Sequence, residues 1–169
     1  MTQLVDSFEQ RLYSLERLIC SACLLVMLFT VVLSVLVRTF NWPIPNVAEW
    51  ALAAMSPLAF VGTAMCAKKR AHIAVDIIEQ INKLWVKRLS DLLIAMSMLA
   101  FAAVYAWLGW SLFEDAVYTG ERWLDMGTPI YVPIFFFAAG MAATAFHGLC
   151  DLYRLAMSLM LGTNPSRES

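Results

Sequence analysis

The stretch Leu18 to Val37, LICSACLLVMLFTVVLSVLV, contains no charged side chain, and Arg17 and Arg38 stand directly outside it. A run of about 20 mostly apolar residues has the length that a helix needs to cross the hydrocarbon core of a bilayer. The stretch therefore predicts a transmembrane helix and makes this chain an integral membrane protein.

Three further apolar runs predict three more spans. Backbone groups in lipid must pair within their own segment, so the spans are expected to be helices. The second run has Glu49 near its start and Pro57 inside it, and the fourth continues amphipathically toward Leu161. The sequence predicts an all-α integral membrane fold with four transmembrane helices in a single domain, residues 1–163, followed by a flexible tail, 164–169. The predicted spans are 18–37, 47–67, 92–113 and 129–149.

Composition supports the same class of protein. Of the 169 residues 61% are hydrophobic, the mean hydropathy is +0.69 and the net charge is −1. Soluble domains are about half apolar, so a water-soluble fold is excluded. The first thirty residues carry Asp6, Glu9 and Glu16 with no small-residue cleavage site after them, so the first span is expected to remain in the mature protein.

Lysine and arginine predict the orientation. They concentrate at the N-terminus, in the second connection and at the C-terminus, whereas the other side has only Arg38 and Arg122. Because cytoplasmic connections are enriched in Lys and Arg, both termini are expected in the cytoplasm. The basic cluster Lys68, Lys69 and Arg70 fits this topology and contact with anionic lipids of the membrane.

Two segments have amphipathic spacing outside the spans. Leu4, Phe8, Leu12 and Leu15 share a helical face at the N-terminus, and the second connection repeats the pattern at Ile77, Ile78, Ile81, Leu84 and Trp85. Such helices lie flat at the membrane surface or pack against their own bundle. The fold prediction therefore adds interfacial amphipathic helices at both places.

The positions of the cysteines and histidines in the sequence do not favour redox or haem chemistry. Cys20 and Cys23 form a CxxC pattern, but the cysteines fall within or at the ends of apolar runs, which is poor context for disulfides. Haem ligation inside a bundle needs histidines on facing helices, and only His72 and His147 exist. No cofactor, metal or catalytic residue is expected, and no nucleic-acid partner.

The candidate functional residues lie at the ends of the spans. Glu49 at a span edge needs a partner or acts as a first-turn acid favoured by the helix dipole, and Arg38 is the candidate partner. His72 and Asp76 are four residues apart, so they share a face if the helix continues there. We take the candidate interface or structural residues to be Arg38, Glu49, Lys68, Lys69, Arg70, His72, Asp76 and Arg122.

The spans lack charged groups near their centres, although an ion-coupled transporter displays such groups near the bilayer midplane. The chain is therefore interpreted as support for another subunit. Its runs Phe60-Val61-Gly62-Thr63-Ala64 and Lys68-Lys69-Arg70-Ala71-His72-Ile73-Ala74-Val75-Asp76, after Glu49-Trp50, resemble the small membrane subunit of tripartite ATP-independent periplasmic (TRAP) transporters. Arg38-Thr39-Phe40-Asn41 and Thr128-Pro129, with Tyr131 and Pro133, are also similar to that family.

The resemblance implies a division of labour among three proteins. A periplasmic solute-binding protein captures an organic acid, a large membrane subunit carries it across with sodium, and the small subunit braces the large one. Arg38, Glu49 and the loop around Arg122 are expected to help dock the binding protein. A membrane anchor of a respiratory or quinone-reactive complex is the main alternative, and a small multidrug exporter is another.

Overall fold

The computed structural model describes residues 2–68 and 84–161. Within those ranges the chain forms four helices and no strand. In chain order the helices are α1 (Thr2–Thr39), α2 (Ala48–Lys68), α3 (Leu84–Thr119) and α4 (Tyr131–Leu161).

Each helix is long and apolar enough to cross a membrane. The qualifying segments are Glu9–Thr39 with 31 residues, Ala48–Lys68 with 21, Leu89–Thr119 with 31 and Tyr131–Met157 with 27. A span needs about 20 residues, so three of these helices also have length to project beyond the hydrocarbon core. The all-α membrane fold with four spanning helices is confirmed.

The N-terminal amphipathic segment is not a separate helix. It is the first part of α1, which runs without a break from Thr2 to Thr39. Glu9 and Glu16 on this part are each only 3% exposed. The acidic side of the segment is thus packed on its own bundle, whereas Leu15 on the apolar side is 54% exposed. Most of the second amphipathic segment, including Ile77 to Ile81, lies outside the described residues, and Leu84 and Trp85 begin α3.

The third and fourth helices are longer than the predicted spans. Helix α3 continues through the acidic residues Glu114 and Asp115 to Thr119, because exposed charges beyond the hydrocarbon core do not oppose helix formation. Gly120 follows with a φ of +64°, a conformation that favours glycine. Helix α4 holds Pro133 in its first turn, where a missing N–H costs no helical hydrogen bond. The predicted tail 164–169 lies outside the described residues.

The helices pack side by side in the order α1, α2, α4, α3. Extensive contacts join α1 to α2, α2 to α4, and α4 to α3. The buried share agrees with this order, because 39% of the most apolar window is buried in α4 but only 11% in α1 and in α3. The four described helices therefore form an open layer with α1 and α3 at its two edges, and both edge helices expose large apolar side chains.

Small residues allow the two central helices to approach closely. Ala54, Val61 and Ala64 of α2 are buried, as is Ala138 of α4. A Cβ placed on Gly140 of α4 would lie 2.6 Å from the backbone carbon of Phe60 on α2. Contact through small residues is the usual basis of helix packing in membranes, where lipid removes the hydrophobic drive for association.

Candidate functional site

Polar contacts concentrate at the two ends of the layer. One group surrounds Glu49 and the loop 120–130, and we call it the loop clamp. The other surrounds His147, near the N-terminal part of α1, and we call it the buried charge cluster. The cluster consists of Glu9, Glu16, Lys68, His147 and Arg154. Both groups hold ionisable side chains against other parts of the same chain.

The loop clamp is organised by the carboxylate of Glu49, which is 5% exposed. Its Oε2 accepts hydrogen bonds from the backbone N–H groups of Asp125 at 3.1 Å and Met126 at 2.8 Å, and its Oε1 accepts one from Thr128 at 2.9 Å. Three N–H groups converging on one carboxylate form strong, charge-assisted hydrogen bonds. Glu49 therefore fixes the loop before α4 onto the start of α2.

Asn46 and Arg122 complete the clamp. The Asn46 side chain accepts a hydrogen bond from the N–H of Ala48 at 3.2 Å, which caps α2, and donates one to Asp125 at 3.0 Å. Arg122 donates to the carbonyl of Gly127 at 3.3 Å and pairs with Pro129 in an isolated bridge. The loop is thus held by hydrogen bonds within itself and by hydrogen bonds to residues at the start of α2.

Arg38 is not the partner of Glu49. No ion pair joins them in the described part of the chain, and the carboxylate instead accepts hydrogen bonds from backbone N–H groups of the loop. Arg38 is exposed in the last turn of α1. The helix ends after Thr39, where Asn41 has a φ of +51° and the N–H of Trp42 donates to the carbonyl of Val37. Glu49 does stand in the first turn of α2, but it also holds the loop.

The buried charge cluster joins α1 to α4. His147 is 1% exposed, its Nδ1 lies 3.2 Å from Oε1 of Glu9, and its Nε2 lies 3.1 Å from Oε1 of Glu16. The imidazole ring therefore bridges the two carboxylates, and one side chain of α4 holds both acids of α1. Buried polar groups need such partners, because burial removes the water that would otherwise hydrogen-bond them.

The two acids of the cluster differ in their other contacts. Oε2 of Glu9 pairs with Arg154, which also lies 3.7 Å from Asp151. Oε2 of Glu16 is buried and has no hydrogen-bond partner among the described residues. Glu9 is therefore the fully satisfied acid, whereas Glu16 depends on His147 alone.

Lys68 adds α2 to the same end of the layer. Its ammonium donates to the backbone carbonyl of Glu9 at 3.0 Å and to Oε1 of Gln10 at 3.2 Å, and lies 4.7 Å from the centre of the Tyr13 ring. This lysine was expected at the lipid surface as part of the basic cluster. Instead it binds α1, while Lys69, Arg70, His72 and Asp76 lie outside the described residues.

Sequence reasoning missed Glu9, Glu16, His147 and Arg154. A signal was present, because Glu9 and Glu16 are seven residues apart, as are His147 and Arg154, and a spacing of seven places two residues on one helical face. Two such pairs of opposite charge predict an interhelical network. The signal was obscured because the acids precede the predicted first span.

The contacts of His147 and the state of the cysteines are relevant to the haem and thiol alternatives. Both ring nitrogens of His147 face carboxylates, so neither is directed at an iron atom. The four cysteines are free thiols. The placement of His147 therefore weakens the respiratory-anchor alternative.

Comparison with known proteins identifies a family that matches this chain. A family model described as the DctQ component of tripartite ATP-independent periplasmic transporters matches residues 27–157. That range is more than half of the chain and includes the loop clamp, His147 and Arg154, whereas Glu9 and Glu16 precede it. No curated protein matches the chain.

Proposed function

Because the chain belongs to the family of DctQ components of TRAP transporters, we propose that it is a non-catalytic permease subunit that braces the large membrane subunit. In this proposal the large subunit carries an organic acid with sodium, and a periplasmic solute-binding protein delivers that acid. The small subunit supplies a fixed frame against which the large one moves.

The use of buried charges supports the frame. The described ionisable groups that are most buried, Glu9, Glu16, Glu49 and His147, all bind other parts of the same chain. A transport pathway instead needs polar groups directed toward a solute or an ion. Residues engaged in this way stiffen the two ends of the layer, as a brace requires.

The open layer supports a partner in the membrane. Among the described helices, α1 and α3 stand at the two edges of the layer, and both expose large apolar residues. Examples are Val31, which is 51% exposed, and Leu108, which is 53% exposed. One edge contacting the large subunit and the other contacting lipid would account for both surfaces.

The proposed location is the bacterial inner membrane, with both termini in the cytoplasm. The excess of Lys and Arg at the N-terminal end of the layer supports it. The loop clamp then faces the periplasm, where Arg38 and the loop carrying Arg122 are available to the binding protein. A small exporter is less consistent with these contacts, because Glu49, its candidate essential acid, is already bound by the loop.

Co-purification tests the proposal. The tagged chain is expressed with its genomic neighbours, extracted in mild detergent, and compared with Val31→Asn on α1 and Leu108→Asn on α3, which introduce the same polar amide at opposite edges. We expect the unaltered chain to recover a larger polytopic protein at a fixed ratio, and one of the two variants to lose it. Elution alone, elution with redox subunits, or solute uptake by the chain alone would contradict the proposal.

A further inference from the structure

A cavity of about 370 Å³ lies along the N-terminal part of α1. Successive lining residues are one or three positions apart along the helix, so they occupy one side of it. Polar and basic side chains form most of the wall that the described residues provide, and Leu18 stands where the membrane span begins. The lining residues are Gln10, Tyr13, Ser14, Arg17, Leu18 and Ser21.

The charges around the cavity favour an anion. Arg17 is exposed and forms no ion pair with any residue that the structure describes. Nearby acids cannot neutralise it, because Glu9 and Glu16 are directed to His147 on α4. Lys68 brings a second cation to the rim through its bond to Gln10. A guanidinium donates several hydrogen bonds in a fixed geometry that suits phosphate oxygens.

An exposed apolar stripe continues from the cavity along α1. Leu18 is 66% exposed, Leu25 67% and Phe29 64%. Their spacings of seven and four keep them on one side of the helix, the side that Leu18 shares with the cavity. The surface therefore places a cationic pocket at the head of an apolar track, which complements an anion that carries a hydrocarbon chain.

We propose that this cavity binds the phosphodiester headgroup of an anionic phospholipid, with one acyl chain lying along Leu18, Leu25 and Phe29. Arg17 contacts the phosphate through its guanidinium. With the orientation proposed above, the lipid belongs to the inner leaflet. A free phosphate ion would use Arg17 but leave the apolar track uncovered, and basic pockets beside spanning helices commonly hold lipid headgroups.

Native mass spectrometry of the purified full chain tests the site. The probes are phosphatidylglycerol and phosphatidylcholine, with inorganic phosphate as a competitor, and the variants are Arg17→Gln and Arg11→Gln. Arg11 is a matched control because it is an exposed arginine on the same part of α1 that does not line the cavity. Unchanged thermal unfolding of both variants establishes that each is folded.

We expect phosphatidylglycerol to remain bound in preference to phosphatidylcholine. Arg17→Gln should reduce the bound fraction about fivefold, while Arg11→Gln should change it less than about twofold, as one lost contact at a membrane surface predicts. Equal losses in both variants, or displacement by inorganic phosphate, would overturn the lipid site. Unchanged lipid binding with loss of the co-purified large subunit would assign Arg17 to a protein contact instead. The lipid result is independent of co-purification, so either proposal can fail alone.

Discussion

His147 on α4 and Glu16 on α1 are separated by 131 positions in the chain, yet Nε2 of the histidine lies 3.1 Å from a carboxylate oxygen of the acid. Neither side chain is more than 3% exposed. The contact attaches the N-terminal part of α1 to α4, the last described helix along the chain. It also holds the residues of α1 that precede the apolar run 18–37 against the other helices.

Replacing His147 should loosen that attachment. His147→Leu would leave the carboxylates of Glu9 and Glu16 close together without the ring between them, and breaking a buried charge pair typically costs about 3 kcal/mol or more. We expect a lower Tm in detergent and faster tryptic cleavage after Arg11 and Arg17. An unchanged Tm together with unchanged cleavage would mean that the cluster contributes nothing to stability.

The two acids provide the control for that prediction. In the His147→Leu background, Glu9→Gln together with Glu16→Gln should recover part of the lost stability, because the repelling charges are removed. In the wild-type background Glu16→Gln should lower the Tm less than Glu9→Gln does. The reason is that Oε2 of Glu16 has no described partner, whereas Oε2 of Glu9 pairs with Arg154. The reverse order would contradict this assignment of contacts.

Glu49→Gln should release the loop that precedes α4. The amide keeps one acceptor oxygen but turns a donor group toward at least one of the three N–H groups that the carboxylate now binds. We expect tryptic cleavage after Arg122 to accelerate about fivefold or more, because cleavage follows the population of the open loop. Glu114→Gln is the matched control, since that carboxylate is exposed and bonds only Trp110 in the described structure. Equal acceleration of cleavage in both variants would contradict the conclusion that Glu49 holds the loop.

Two glycines should respond oppositely to alanine. A Cβ on Gly140 would meet the backbone of Phe60 at 2.6 Å, so Gly140→Ala must push α2 and α4 apart, at a cost of about 1–3 kcal/mol. A Cβ on Gly62 meets nothing within 4 Å, so Gly62→Ala should be neutral or stabilise α2 by up to about 1 kcal/mol. Thermal unfolding of both variants in one detergent makes the comparison. A similar Tm for the two would refute the close packing of the central helices.

Arg38→Gln should weaken solute uptake while the membrane complex remains assembled. The residue is exposed at the loop end of the layer and does not pair with Glu49, so its charge remains available to a binding protein. The measurement is uptake by proteoliposomes that contain both membrane subunits, over a range of binding-protein concentrations. The loss should diminish as that concentration rises. Arg11→Gln, at the opposite end, should leave uptake unchanged, and equal effects of the two substitutions would exclude docking through Arg38.

The sequence predicted the helices better than their ends or their partners. Apolar runs such as 18–37 identify spans because the bilayer imposes a minimum length and excludes charge. The same criterion placed the start of the first span at Leu18, although the helix begins at Thr2. Residues before the run are polar on one side only, and whether such a segment lies on lipid or on protein depends on a partner distant in the chain.

Composition and periodicity by themselves determined that this chain spans a membrane with four helices, because transfer of side chains and backbone into lipid is a local property of each segment. Only the tertiary structure decided that Glu9 and Glu16 meet His147, and that Glu49 binds a loop rather than Arg38. Those contacts join residues 76 to 138 positions apart. Their geometry depends on how the helices are ordered and how closely they pack, which no single segment specifies.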